Sequence, residues 1–133
     1  MPDPVQLAQR FVECINAHDV DGLAALMSPD HRFIDSLGAE ANGVNAMREG
    51  WRAYYRMVPD YRIDVEQAFV EGPQVILVGS AHGTYSRDGS LHAADRWSMP
   101  AAWRALIRDG RVAEWQVYAD NEPIRRCMAR APA

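Results

Sequence analysis

Val58-Pro59-Asp60-Tyr61-Arg62-Ile63-Asp64-Val65-Glu66 is the stretch on which the fold turns. Upstream of it, apolar residues recur every three or four positions. Val44, Met47, Trp51, Tyr54 and Val58 mark one stripe of a helix predicted from about Val44 to Met57. Pro59 ends that helix, because the residue before a proline is pushed out of the helical region. Downstream the period falls to two: Tyr61, Ile63 and Val65 alternate with Arg62, Asp64 and Glu66. That alternation predicts a strand with one buried face.

Working outward, Gly72-Pro73 turns the chain into a second run, Val75 to Tyr85, which is fairly apolar on both faces. Asp88-Gly89 signals a hairpin into a third run from about His92 to Arg108. Asp109-Gly110 signals another, and Arg111 to Ala119 is the final strand. Hairpin-joined runs predict an antiparallel meander. Pro100, inside the third run, predicts a bulge or an open flank and with it curvature. A last helical turn is expected over about Glu122 to Met128.

In the other direction, Asp3 and Pro4 supply a cap and first position for a helix whose face is Leu7, Ala8, Phe11, Val12 and Ile15. Asn16-Ala17-His18 ends it. Asp19 caps a short second helix with Leu23, Leu26 and Met27, and Ser28-Pro29-Asp30 breaks the pattern. A short strand, Arg32 to Ser36, and a loop, Gly38 to Gly43, precede the third helix. The expected fold class is α+β: three N-terminal helices packed on one face of a curved, mainly antiparallel sheet, residues 1–133 making one domain. Such a curled sheet leaves a hollow against its helices.

Bulk properties narrow the function. At 48% hydrophobic and 24% charged, the chain reads as a soluble globular protein. No apolar run approaches the ~20 residues that span a bilayer, and Met1-Pro2-Asp3-Pro4 is acidic with no apolar run behind it, so no secretory leader is expected. A net charge of -4 gives no reason to expect nucleic acid or an anionic membrane as partner. All fourteen basic residues are arginine, which excludes lysine Schiff-base chemistry. Cys14 and Cys127 have no paired or metal-ligand spacing and read as free thiols of a cytoplasmic protein. No His, Asp and Glu set has metal-ligand spacing, so no metal or other cofactor is expected. Ser28, Ser36 and Ser80 lie in no nucleophile elbow.

Three segments carry a resemblance: the opening Phe11-Val12-Glu13-Cys14-Ile15-Asn16-Ala17-His18-Asp19-Val20-Asp21-Gly22-Leu23, the strand end Phe33-Ile34-Asp35, and the closing Asp109-Gly110-Arg111-Val112-Ala113-Glu114-Trp115. With Gly43 opening the third helix, they resemble the nuclear-transport-factor-two-like superfamily, in its SnoaL-like and ketosteroid-isomerase-like branch. The resemblance implies a cone of curved sheet and three helices, commonly a homodimer through the outer sheet face. It covers isomerases, cyclases, dehydratases, epoxide hydrolases and proteins without catalysis, so fold does not settle function.

Carried over by position, the resemblance makes Asp35 the general base of a ketosteroid isomerase. The two oxyanion donors of that reaction fall at Phe11 and near Ala102, neither of which donates from its side chain. Losing one such donor costs roughly 10²–10³ in rate, so the steroid reaction itself is not expected. In SnoaL-like cyclases an acid near the end of the last strand acts, and Asp120 lies at about that place, although Asn121-Glu122-Pro123-Ile124 departs from the family's tail. The arginine and aspartate two residues apart that mark the epoxide hydrolases are not apparent.

Each candidate also has a plainer reading. Asp35 precedes Ser36 and Gly38, ordinary turn chemistry. Asp120 has the opposite parity to Trp115, Val117 and Ala119, and suits a cap of the following turn. His82, on the second long strand, is either a proton partner or a wall or dimer-face residue. His31 and His92 flank turns and are expected to be exposed. Trp51, Tyr54, Tyr55, Trp115 and Val117, with Phe11 and Ala102, are the expected ligand wall; Tyr54 is a candidate for the missing donor. Trp97, Met99, Ala101, Trp103 and Ala105 share one face, read as core or interface. The expected activity is cofactor-independent acid/base chemistry on a small apolar carbonyl or hydroxyl compound. The alternative is a noncatalytic binding protein of the same shape.

Overall fold

In the computed structural model, residues 3–130 are described; Met1 and Pro2, part of the stretch read for a leader, lie outside them. Helix α1 spans Pro4–Ala17, α2 Val20–Leu26 and α3 Val44–Met57; strands are β1 Met27–Ile34, β2 Glu40–Asn42, β3 Arg62–Glu71, β4 Gln74–Thr84, β5 Arg96–Arg108 and β6 Arg111–Ala119; α4 spans Glu122–Ala129. The strands form one six-stranded sheet in the order β2-β1-β6-β5-β4-β3. This is the α+β cone expected: a curved, open sheet with helices across its concave face.

The local chemistry explains the boundaries. Asp3 Oδ1 accepts from Val5 N at 2.9 Å and Pro4 opens α1, while Asp19 Oδ1 accepts from Gly22 N to start α2. Asp109 and Gly110 both have positive φ (54° and 73°), the geometry that a two-residue hairpin with right-handed twist requires. Three register shifts, at Val65/Gln67 against β4, at Leu106/Ile107 against β6 and between Met27 and Arg32 of β1 against β6, bend the sheet. Pro100 marks no bulge; it lies one residue before the first β5–β6 pair, Ala101↔Ala119, where one flank of β5 is open.

Four details differ from the sequence reading. Strand β1 begins at Met27, straight after α2, and pairs parallel with β6. That pairing joins residues more than 80 positions apart, and no local pattern reports it. Residues 40–42 form β2 against β1 rather than part of a loop. Asp88-Gly89 is not a tight hairpin turn: residues 85–95 join β4 to β5, ending in a 3-10 turn at Ala93–Asp95. His31 is not exposed but fully buried. Its Nδ1–H donates to Val112 O at 2.7 Å, locking β1 to β6.

The core lies between the concave face and α1, α2 and α3. Leu7, Phe11 and Ile15 of α1 are at most 2% exposed and pack toward Trp115, Val75 and Leu77. Burying each such side chain contributes about 1.5–3 kcal/mol. The face read as core or interface, Trp97 through Ala105 on β5, points inward. No helix among the described residues is long and apolar enough to cross a membrane.

Candidate functional site

The inner surface of the sheet has a row of unusually small side chains. Gly79 pairs with Ala101, and Ala101 with Ala119, across β4, β5 and β6. On either side stand larger residues: Met99 opposite Ala81, and Trp103 between Leu77 and Val117. Gly79 lies under the β3 backbone, while Ala101 and Ala119 of this row bring only methyl groups to the sheet side of a hollow. Above it, Met47, Gly50, Trp51 and Tyr54 of α3 form the roof. The result is a cavity of about 330 Å³, within the range of small-molecule sites. It extends from β1 to β4, three inter-strand steps or roughly 14 Å along the sheet.

Asp35 stands at the β1 end of this hollow, on its rim. The strand ends at Ile34 and the next residues fold into a tight turn. Asp35 N donates to Ala39 O at 2.9 Å and Gly38 N donates to Asp35 O at 3.0 Å. The carboxylate braces the turn from within: Oδ1 accepts from Leu37 N and Ala39 N, both at 2.9 Å. One oxygen is therefore fixed by backbone, and Oδ2 takes no hydrogen bond from any described residue. Asp35 thus combines the two readings, turn brace and cavity carboxylate, in one side chain.

At the opposite end, Tyr61 and Tyr54 meet edge to face with ring centroids 4.8 Å apart, and Tyr61 leans on Trp97 at 6.1 Å. Burial pushes both phenols well above the ordinary tyrosine range, so they stay neutral and keep a proton to donate. The Asn16-Ala17-His18 segment positions Tyr61. Asn16 exchanges two hydrogen bonds with the Ile63 backbone, each 2.9 Å, and His18 Nε2–H donates to Tyr61 O at 2.8 Å while its ring stacks on Tyr55. The indole N–H groups of Trp51 and Trp97, both cavity residues, are buried with no acceptor among the described residues.

Of the residues read from sequence, Asp35, Trp51, Tyr54, Trp115 and Val117 line this cavity. The other five are placed elsewhere. Asp120 is exposed and accepts from Glu122 N at 3.0 Å, a cap of α4, as its parity foretold. His82 lies on the outer sheet face, where its Nε2–H donates to Asp64 Oδ2 at 2.8 Å. Ala102 also points outward, since the inward residues of β5 are the odd-numbered ones. Phe11 is buried in the core against Trp115, 4.7 Å between centroids. Tyr55 gives its hydroxyl to Ile15 O at 2.8 Å.

The sequence reading passed over Tyr61, Ser36 and Asn121, which also line the hollow. For Tyr61 a signal existed, its shared parity with buried Ile63. Asn121 has the inward parity of Trp115, Val117 and Ala119, one step from Asp120. Glu40 touches the rim but turns to Arg32, whose Nε donates to it at 2.5 Å; that hydrogen bond, with the guanidinium charge behind it, holds Glu40 below the usual carboxylate range. None of the fourteen arginines lines the cavity, which leaves the epoxide-hydrolase arrangement without its cation. Among the described residues no group of three or more His, Cys, Asp or Glu side chains is placed to hold a metal ion.

Residues 8–115 match the family of the SnoaL-like domain, and the chain belongs to that family. Solved structures share its fold. A provisionally named SnoaL-like polyketide cyclase from Jannaschia sp. CCS1 superposes with a TM-score of 0.83 at 19% identity, over 97% of this chain and 93% of the other. A provisionally named polyketide cyclase from Xanthomonas campestris pv. campestris gives 0.79 at 22%, over 93% and 96%. A protein of ketosteroid isomerase-like fold from Catenulispora acidiphila DSM 44928, in complex with trimethylamine, gives 0.78 at 14%, over 90% and 88%. At these identities the likeness shows the fold. No curated protein matches the sequence.

Proposed function

We propose that the cavity binds a small, largely apolar carbonyl or hydroxyl compound, polyketide-like in its fused-ring character, and that Asp35 performs cofactor-independent acid/base chemistry on it. The reaction would be of the isomerase, cyclase or dehydratase kind. Its first step is removal of a proton alpha to a carbonyl. The proton passes to Asp35 Oδ2, the C–H electron pair forms the C=C bond of an enolate, and the carbonyl π pair moves onto oxygen. Where the ligand carries a C=C β,γ to that carbonyl, the enolate is a dienolate; return of the proton from Asp35 to its γ carbon re-forms the carbonyl, moves the C=C into conjugation and completes an isomerisation. The observation that carries this reading is the presence, on one hollow, of a carboxylate with an unused oxygen and two neutral phenols. The phenols at the far end would anchor a second ligand oxygen and set the ligand's direction.

The test uses 2-tetralone, a fused bicyclic ketone with an acidic CH₂ between ring and carbonyl, in D₂O. Deuterium entry at that carbon above the buffer rate, lost in Asp35→Asn, supports the reading. Saturable binding with exchange at the buffer rate replaces it by the noncatalytic binder. One observation favours that second reading: both hydrogen bonds to Asp35 Oδ1 are what a purely structural turn aspartate would make.

The partner would be a second copy of the chain. What supports this is the outer sheet face, where two cross-strand rows, Phe69–Ile76–Arg104–Gln116 and Gln67–Val78–Ala102–Tyr118, lie side by side. Phe69 is 55% exposed and Tyr118 50%, and the Arg104–Glu114 pair at 2.8 Å lends the face both signs of charge. A cytoplasmic setting accords with the two free cysteines.

A further inference from the structure

Beside Asp35, the cavity wall includes a contact between distant parts of the chain. Asn121, just beyond β6, donates from Nδ2 to Ser36 Oγ at 2.5 Å, and both residues line the cavity. A serine hydroxyl has one proton and two acceptor lone pairs. The amide occupies one lone pair, and Ser36 gives its proton to no described acceptor. Ser36 is also held rigidly, since it sits inside the turn that four hydrogen bonds from Asp35, Leu37, Gly38 and Ala39 close.

From this we infer that Ser36 is the hydrogen-bond donor to the reacting oxygen of the ligand, with Asn121 as the residue that orients its hydroxyl. The inference rests on the reading of Asp35 as a base. An enolisable group carries its acidic hydrogen and its oxygen on neighbouring carbons. Base and donor must therefore stand close together, and adjacent residues of one fixed turn meet that need. Tyr54 and Tyr61 enter the cavity from α3 and from the turn before β3, elements separate from the turn that holds Asp35. Charge builds on the oxygen only as the proton leaves, so a preset donor stabilises the enolate more than the ketone. The seryl oxygen forms no bond to the ligand, and Ser36 keeps its proton throughout.

The experiment binds carbonyl-¹³C-labelled 2-tetralone to the wild type and to Ser36→Ala, Ser36→Thr, Asn121→Ala and Tyr54→Phe, reading the infrared carbonyl band and the deuterium-exchange rate. The expected result is a band at lower frequency in the wild type and in Ser36→Thr, moved up toward its apolar-solvent position in Ser36→Ala, and broadened in Asn121→Ala. Exchange falls roughly 10²-fold in Ser36→Ala, the usual effect of losing one oxyanion donor, and recovers in Ser36→Thr. An unmoved band and unchanged exchange in Ser36→Ala, with exchange still lost in Asp35→Asn, overturns the role of Ser36 and leaves Asp35 as the base. A band moved by Tyr54→Phe alone assigns the reacting carbonyl to the phenols and also overturns it. No saturable binding, or exchange at the buffer rate in every protein, removes both proposals together.

Discussion

Tyr54 and Tyr61 stand edge to face, 4.8 Å between centroids and 86° between planes, at the β4 end of the cavity. The pair comes from two elements with different constraints, α3 and the start of β3, and it is fixed from behind by His18 on the Tyr61 carbonyl. Burial raises both phenols above the ordinary tyrosine range, so both remain protonated donors around neutral pH.

Replacing either tyrosine by phenylalanine therefore leaves the packing and removes one donor. Affinity for 2-tetralone carrying a second oxygen at its far ring is expected to fall by about 5- to 30-fold, one to two kcal/mol for a hydrogen bond to ligand. The unsubstituted ketone is expected to lose less. Titration calorimetry with the two ketones checks this; equal losses for both would show that the phenols do not read the distal oxygen.

Asp35→Asn keeps an Oδ1 acceptor for Leu37 N and Ala39 N. Unfolding free energy is expected to change by less than about 1 kcal/mol, while exchange falls roughly 10²–10⁴-fold. Asp35→Ala loses both functions, leaving two N–H groups without their acceptor, and is expected to cost stability as well. Urea unfolding of the two variants separates brace from base.

His31 makes stability depend on pH in a defined direction. Burial lowers its pKa most strongly; the Val112 hydrogen bond and the charges of Asp30 and Glu114 pull the other way without overcoming it. The unfolded chain takes up the proton more readily than the folded one. Stability is thus full above the ordinary histidine pKa of about 6.5 and declines as pH falls below it toward the depressed folded value. Urea midpoints between pH 8 and pH 5 are expected to fall. In His31→Phe that slope should flatten, with an offset of about 1–3 kcal/mol at pH 8 from the unpaired Val112 carbonyl. An unchanged slope would place the titration elsewhere.

Gly79 lies beneath the bulge of β3. A Cβ there would stand 1.8 Å from Asp64 O and 3.0 Å from Val65 Cα, both backbone atoms that cannot swing aside. Gly79→Ala is expected to destabilise by more than about 2 kcal/mol, as overpacking does, and, as β3 moves, to disturb the cavity residue Tyr61 that directly precedes it. Thermal unfolding with 2-tetralone present and absent measures both effects. A variant as stable as the wild type would mean that the bulge yields freely.

For the outer face, Phe69→Glu with Ile76→Arg is expected to lower the sedimenting mass of a dimer to that of one chain of 14.9 kDa. A wild-type protein that already sediments as one chain contradicts the pairing outright.

How far the sequence carries depends on whether the cause is local. The switch of period at Pro59, the positive-φ turn at Asp109-Gly110 and the caps at Asp3 and Asp19 act within a few residues, and they are readable. The parallel β1–β6 pair and the burial of His31 depend on partners some 80 positions away, and they are not. The site divides along the same line. Asp35 was legible because a strand ends at it, and Tyr54 because it lies on the α3 stripe. Asn121 and Ser36 were not, because their meeting needs the end of β6 to arrive beside the turn after β1. Ala102 and Asp120 each missed by one residue, and in a strand one residue reverses the face.

The central claim is that Asp35 Oδ2 faces a bound ketone across an otherwise apolar hollow. A crystal structure of Asp35→Asn, expected to bind without turning over, soaked with 2-tetralone tests it most directly. The account predicts the ring system between Trp51 and the methyl groups of Ala101 and Ala119, with its acidic carbon about 3–3.5 Å from the residue-35 side chain. A ketone seated elsewhere on the protein, or lying in the hollow with that carbon turned away from residue 35, contradicts it.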